Sequence, residues 1–349
     1  MFFEDLYKCF EAHSKKYPQL TPCDCVKLLY QSVYGCGHFV DAGKAEPRLR
    51  AELESVKHAS CETFELICNG RARLMLGAIT YNDVPLVSRM FAASAKEDVR
   101  LGSDDMQFEK GLHLIRSMAA EGKLPFSASE ADAYIDAYLK AGGGAVSHSE
   151  KYRECYSPAY RVMSPSAVRT YALCKAIEKL IERKGSAVVA IDGMCASGKS
   201  TVANYLADVF DCNIIHADDF FLPPEKRTKE RLAEIGGNMD REKLASVLES
   251  AVNGDFSYRP YQCWLQREGE KLYFKAKPLL IVEGSYSLHP ELRRFYDICA
   301  LSHISAEEQL ARIKRRDPEL IDRFVNEWIP MENRYFEGMR IADTADFII

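Results

Sequence analysis

The chain has no uninterrupted apolar run approaching the about 18 residues that a membrane-spanning helix requires. It has no N-terminal segment with a charged start followed by an apolar core, so a secretory leader is not expected either. A positive excess is also missing: 46 Lys and Arg stand against 51 Asp and Glu, giving a net charge of −5 and a pI near 6.0. Without a basic field to meet phosphate backbones, nucleic acid is not expected as a main partner, nor is a membrane. Internal repeats and low-complexity tracts are absent. The expectation is a soluble, cytoplasmic protein. At 349 residues it exceeds the usual size of one hydrophobic core, so two domains are expected.

Twelve cysteines are present, but without a secretory signal they read as thiols rather than disulfides. Cys23, Cys25, Cys36 and His38 could be written as a metal set. Their spacing fits no standard zinc pattern, and Cys23 and Cys25 at the start of a helix face different ways.

The most informative run is Gly193-Met-Cys-Ala-Ser-Gly-Lys-Ser200, entered from the apolar stretch Ala187-Val-Val-Ala-Ile191. It satisfies G-x-x-x-x-G-K-[ST] between a predicted buried strand and a predicted helix. Such a loop wraps polyphosphate in backbone N–H groups at a helix N-terminus, where the partial positive charge favours anions. Gly193, Ala196, Ser197, Gly198, Lys199, Ser200 and Thr201 are therefore the candidate ATP-binding positions. Lys199 would meet the outer phosphates, and the Ser200 hydroxyl would ligate Mg²⁺. Cys195, close to Lys199 and a helix N-terminus, is a candidate for a lowered pKa and oxidation sensitivity. Its simpler reading is a small filler residue in a loop whose backbone does the binding.

Up to about residue 140 the pattern is mostly helical, with segments at 3–16, 22–34 (capped by Thr21), 47–57, 84–98, 106–121 and 128–140. Residues 63–79 are ambiguous and could form a hairpin. The triple glycine at 142–144 is the strongest punctuation. A helix at 166–184 opens a second region in which strands and helices alternate, ending in a strand at 345–349. Alternation of this kind predicts a parallel sheet covered by helices, with ligands at the carboxyl ends of its strands. The expected organisation is a mainly helical domain over 1–164 and an α/β nucleotide-binding domain over 165–349.

Three further clusters carry chemistry. His216-Ala-Asp218-Asp219-Phe220-Phe221 closes a strand, and a carboxylate there can take the proton of an attacking hydroxyl. Adjacent Asp side chains in an extended segment point opposite ways, so only one of the two is expected to meet substrate. Glu283 ends the buried strand Leu279-Leu-Ile-Val282, placed to help hold Mg²⁺ or to position substrate. Arg312-Ile-Lys-Arg315-Arg316-Asp317 suits a lid whose arginines neutralise a transferring phosphoryl group.

From about 187 to 349 the chain resembles the uridine kinase and phosphoribulokinase family of phosphate-loop kinases. The resemblance is carried by 193–201, Ala217-Asp-Asp-Phe-Phe221, Asn238-Met-Asp240, Ile281-Val-Glu-Gly284, 312–317 and Ala345-Asp-Phe-Ile-Ile349. It implies ATP, Mg²⁺ and transfer of the γ-phosphoryl to a primary hydroxyl of a nucleoside-like small molecule, and it is compatible with a homo-oligomer. By motif position Asp218 resembles the family's catalytic base, working with Lys199, and Asp240 its ribose-hydroxyl ligand. Glu283 matches the acid near the metal, and Arg312 and Arg316 match the lid arginines. Tyr261 falls near the aromatic of the nucleoside pocket. Where uridine kinases carry a His to read the pyrimidine, this chain has Gln266, so pyrimidine specificity does not follow. The segment 216–224 is also similar to that of nicotinamide riboside kinases, which makes another acceptor the alternative. A nucleotide-switched binding protein is the rival of a different class.

No family resemblance covers 1–164. Two polar-aromatic stretches stand out there, Gln31-Ser-Val-Tyr-Gly-Cys-Gly-His38 and 148–161. Their His, Tyr and Arg suit an anionic small-molecule pocket, or equally an interdomain joint.

Overall fold

The computed structural model describes residues 2–36, 42–56, 62–101 and 104–349. It divides into two compact units, Met1–Arg169 and Thr170–Ile349. His38 lies outside the described residues. Among those described, no cluster of His, Cys, Asp and Glu is arranged to hold a metal, and Cys23 instead donates to the Ser147 carbonyl. No described helix is long and apolar enough to cross a membrane.

The first unit is mainly helical. Its helices are Phe2–Lys16, Pro22–Tyr34, Ala42–Ser55, Val84–Leu101, Asp105–Ala120, Ala128–Lys140 and Glu150–Tyr156. The third starts upstream of the predicted position, and Pro47 lies inside it rather than at its first turn. The ambiguous 63–79 segment is a hairpin, β1 (Phe64–Leu66) against β2 (Ala72–Met75), extended antiparallel by β3 (Tyr160–Met163). Leu6, Phe10, Leu28, Leu29, Ile115 and Ile135 are fully buried at the centre of the helical core.

Charges are buried in this unit, and each has partners, as the cost of desolvation demands. Arg73, 1% exposed, donates to Glu65 at 3.0 Å and to Gln31 Oε1 at 2.8 and 3.0 Å, and stacks over Tyr160. Asp24 ties the start of the second helix to the 148–149 segment. It accepts from the Thr21 N–H and hydroxyl, the Ser149 N–H and hydroxyl, and His148 Nδ1 at 2.8 Å. Burial alone would raise the Asp24 carboxyl, but hydrogen bonds from His148, Ser149 and Thr21 outweigh it and hold the group down to about 2.

The second unit is built on a parallel sheet. Its first strands are β4 (Ala187–Gly193) and β5 (Cys212–His216), joined through the helix Lys199–Val209. Two small antiparallel pairs follow, which the sequence pattern did not reveal. These are β6 (Phe256–Tyr258) with β9 (Leu272–Phe274), and β7 (Tyr261–Gln262) with β8 (Arg267–Glu268). Then come β10 (Leu279–Glu283), β11 (Ile298–Ser302) and β12 (Phe347–Ile348). Between β10 and β11 the segment Pro290–Phe295 forms a 3-10 turn. The sheet order is β12-β11-β4-β10-β5, with every pairing parallel. β10 and β11 are buried along their whole length, as strands covered on both faces must be. This five-stranded sheet with flanking helices fits the α/β fold of phosphate-loop kinases.

The sign of the Asp24 shift makes a stability prediction. A folded-state value below the ordinary carboxylate range gives stability that is present above that range and is lost as pH falls towards 2. Asp24→Asn should therefore lower Tm at pH 7 by several degrees, about 2 kcal/mol, in thermal melts. The gap to wild type should narrow between pH 4 and pH 2; a gap constant with pH would show that the ionised carboxylate is not the stabilising species.

Candidate functional site

β4 lies between β11 and β10, while the next strand in the chain, β5, lies beyond β10. The connections from β4 thus diverge at its carboxyl end, the place where open parallel sheets form a crevice. Parallel register aligns the ends of the neighbouring strands. Glu283 pairs with Ile191 on one side and His216 on the other, and Ser302 pairs with Gly193.

The chain leaves β4 through a loop of unusual backbone geometry. Gly193, Ala196 and Gly198 have φ of 152°, 60° and 96°. Gly193 has no room for a side chain, because a Cβ there would sit 2.3 Å from the Ser302 carbonyl oxygen and 2.7 Å from Ser197 Oγ. Gly198 then caps the helix Lys199–Val209, aiming that helix's free N–H groups at the loop. Lys199 folds back over it, donating to the carbonyls of Gly193 at 2.7 Å and Met194 at 2.9 Å. Ser197 is fully buried, and its hydroxyl has no hydrogen-bond partner among the described residues. Thr201 follows within the first turn of the helix.

The loop is held from beneath by two carboxylates that the sequence pattern did not single out. Asp192, fully buried, accepts from the Gly193 N–H at 2.7 Å, the Leu288 N–H at 2.8 Å and the Tyr335 hydroxyl at 2.7 Å. Burial nevertheless pushes its carboxyl up to about 6. Glu332 accepts from the Cys195 N–H at 2.8 Å and the Ser285 hydroxyl at 2.7 Å. Asp192 could have been noticed as an acid at the end of an apolar strand. Glu332, 137 positions from Cys195, carries no local signal.

Cys195 is corrected by this environment. Burial first, then the Glu332 charge, push its thiol up to about 12, the reverse of the lowered value expected beside Lys199. Its sulfur accepts from Gln309 Nε2 at 3.1 Å, so it packs and anchors rather than reacts.

Around Lys199 stand the predicted acids. Ser200 Oγ donates to Glu283 at 3.1 Å, and His216 Nδ1 lies 2.6 Å from the same carboxylate. That hydrogen bond, against the opposing effect of burial, raises the His216 pKa. Ser200 and Glu283 place oxygen donors side by side, the hard-ligand chemistry that Mg²⁺ takes, so these residues fit such an ion.

The adjacent aspartates are used differently. Asp219 accepts from the buried Tyr258 hydroxyl at 2.9 Å. Asp218 has no hydrogen-bond or ion-pair partner among the described residues. The residue as a whole is exposed, yet the surrounding chain crowds its carboxyl. This crowding, and then Glu283 and Glu332, raise its pKa against the pull of Lys199.

Asp240, Tyr261 and Gln266 come together as lining of one cavity of about 240 Å³, with Asp219 and Phe221. Asp240 caps the helix Arg241–Ala251 through the Lys243 N–H and also receives Lys226 at 3.2 Å. Gln266 adopts φ of 49° in the turn of the β7–β8 hairpin. Arg312 reaches the loop, donating to the carbonyls of Ala196 at 3.2 Å and Ser197 at 3.4 Å. Arg316 pairs with its neighbour Asp317 instead and makes no contact with the loop among the described residues.

No family model matches the sequence, and no curated protein matches it. Among solved structures, that of a possible uridine kinase from Bacillus stearothermophilus is similar at 20% sequence identity and a TM-score of 0.39. The alignment covers 51% of this chain and 99% of that one.

Two measurements test this site. Gly193→Ala should lower Tm by several degrees, about 2–3 kcal/mol, because the side chain meets backbone rather than a movable group. An unchanged melt would show that the loop is not held as described. In peptide-resolved iodoacetamide labelling at pH 8, Cys195 should react at least about tenfold more slowly than the exposed Cys155 and Cys263. Equal or faster labelling would restore the reactive reading.

Proposed function

We propose that the unit Thr170–Ile349 is an ATP- and Mg²⁺-dependent kinase that transfers the γ-phosphoryl to a hydroxyl of a nucleoside-like small molecule. The observation that carries this reading is the division of labour between the adjacent aspartates. Asp219 is committed to Tyr258, while Asp218 has no partner among the described residues, on the short turn from which Asp219 and Phe220 line the 240 Å³ cavity. A nucleotide switch has no use for such a carboxylate, whereas phosphoryl transfer to an alcohol needs an acceptor for the hydroxyl proton.

In this reading the loop amides and Lys199 take the phosphates, for which the ammonium must leave the carbonyls of Gly193 and Met194. Mg²⁺, held by Ser200 and Glu283, would supply neutralisation of phosphate charge. Asp218 accepts the hydroxyl proton, and its raised pKa makes it a stronger base than an ordinary carboxylate. Arg312, already against the loop, and Arg316, once released from Asp317, would add positive charge over the transferring group. Asp240, Tyr261 and Gln266 would hold the acceptor: a carboxylate for hydroxyls, a ring edge and an amide that hydrogen-bonds without the charge a His can carry. A cavity of this size suits one nucleoside or a metabolite of similar bulk, and leaves nicotinamide riboside and other non-pyrimidine acceptors within the same reading.

The test is Asp218→Asn assayed with ATP, Mg²⁺ and a nucleoside panel. Turnover should fall by about 10³-fold with ATP affinity within about twofold of wild type. Turnover retained in Asp218→Asn would remove the residue from this role. ATP hydrolysis with no phosphorylated product on the whole panel would favour the nucleotide switch.

A further inference from the structure

The first unit holds a cavity of about 330 Å³ that the kinase reading does not use. Both polar-aromatic stretches contribute to it, Gln31, Gly35 and Cys36 from one and Tyr160 and Arg161 from the other. Its walls are rigid for identifiable reasons. The Tyr160 ring is stacked on Arg73, 4.5 Å from the guanidinium carbon to the ring centroid. Its hydroxyl is held at 2.5 Å by His148 Nε2 and at 3.2 Å by Gln31 Nε2. His148 is fixed in turn by Asp24 on its other nitrogen, so the proton on Nδ1 faces the carboxylate and Nε2 accepts from the tyrosine. With donor and acceptor both used, Tyr160 presents the cavity with a ring and no free hydrogen-bonding group. The turn at Gly35 and Cys36 is pinned by Asp98, which receives the Cys36 N–H and the buried Arg71 guanidinium.

The charges lining this cavity do not balance. Arg161 is neutralised by Glu52 through two hydrogen bonds of 2.7 Å, which accounts for the acid in the wall. Two cations remain. Lys27 is half-buried, and among the described residues its ammonium donates only to the neutral Val146 carbonyl, at 2.8 Å. Burial, and then the charge of Arg73, lower its pKa. Arg48 has no partner among the described residues. The remaining lining, Tyr30, Phe91, Val146 and Val162, is aromatic or apolar.

We infer that this cavity is a binding site for a small phosphate monoester with a planar apolar body. Its dianionic head would be taken by Lys27 and Arg48, and its body by Tyr160, Tyr30 and Phe91. A phosphate monoester carries close to two charges at neutral pH in one compact head, matching the two uncompensated cations and leaving the aromatic wall for the remainder. The site is independent of the phosphate loop and stands whether or not the second unit is a kinase.

The experiment is calorimetric titration of the full-length chain with phenyl phosphate, without nucleotide or Mg²⁺, in wild type, Lys199→Met, Arg48→Ala and Lys27→Met. Lys199→Met removes the competing phosphate site. One molecule should bind per Lys199→Met chain, with phenol not binding. Arg48→Ala, an exposed position whose loss does not threaten folding, should weaken binding at least tenfold, and Lys27→Met likewise. Three results would overturn the inference: no binding to the Lys199→Met chain, binding unchanged in Arg48→Ala, or binding of phthalate in preference to phenyl phosphate, which would make the ligand a dicarboxylate.

Discussion

The carboxylate of Asp192 sits where the central strand must stop being a strand. The buried backbone of β4 has to open into a loop whose N–H groups face outward, and a turn of that kind leaves polar groups without ladder partners. Asp192 answers this by accepting from the first loop amide, from the backbone after β10 and from Tyr335 on the helix Ile329–Gly338. One side chain thereby joins the sheet, the loop and the C-terminal helices. The cost is a carboxyl raised to about 6, so the group is ionised at neutral pH only at the expense of stability. Glu332 extends the same arrangement by one turn, anchoring Cys195 from the helix that also carries Tyr335.

Given that frame, the placement of the acids around Lys199 follows from strand register. β10 and β5 run parallel beside each other, so Glu283 must end level with His216, and Ser200 in the helix after β4 arrives over the same point. The two aspartates continue β5 into a short turn, where they separate. Tyr258 captures one of them, and that hydrogen bond depends on the small β6–β9 pair holding Tyr258 in place. A peripheral pair of strands thus decides which of two neighbouring carboxylates stays available.

The parts of this arrangement that were legible in the sequence are those written locally. The loop motif, the apolar run before Glu283 and the alternation of strands and helices each lie within a short window, and the hairpin at 64–75 was visible as an alternative reading. Pro47 misled because proline favours a first helical turn, yet here it is tolerated inside the helix Ala42–Ser55. Asp192 and Glu332 were missed because their importance lies in what converges on them from distant segments. Cys195 shows the same limit from the other side. Its near neighbours in sequence, Lys199 and a helix N-terminus, argue for a reactive thiol, but the long-range contacts with Glu332 and Gln309 reverse the sign. That the two aspartates would be used differently was legible; that Tyr258, from 39 residues away, engages Asp219 was not.

The direction of the carboxyl shifts separates the buried acids of the first unit from those near the strand ends of the second. In the first, Asp24 and Glu65 are held well below the ordinary range, because hydrogen bonds and cations outweigh the penalty of burial. Acid there is saturated with partners, and the unsatisfied charge is positive, on Lys27 and Arg48. In the second, Asp192, Asp218 and Asp219 are all raised, with burial as the leading cause. The charge of Lys199 lowers the Asp192 and Asp218 carboxyls, but less than burial raises them. An ionic imbalance in a folded protein costs stability unless something binds to cancel it, and such imbalances gather at functional sites. Under the proposed function, a cation arriving with a polyphosphate would meet both kinds of charge here, the acids and Lys199. The first unit is prepared for an anion without a metal, because Glu52, the carboxylate lining its cavity, is already spent on Arg161.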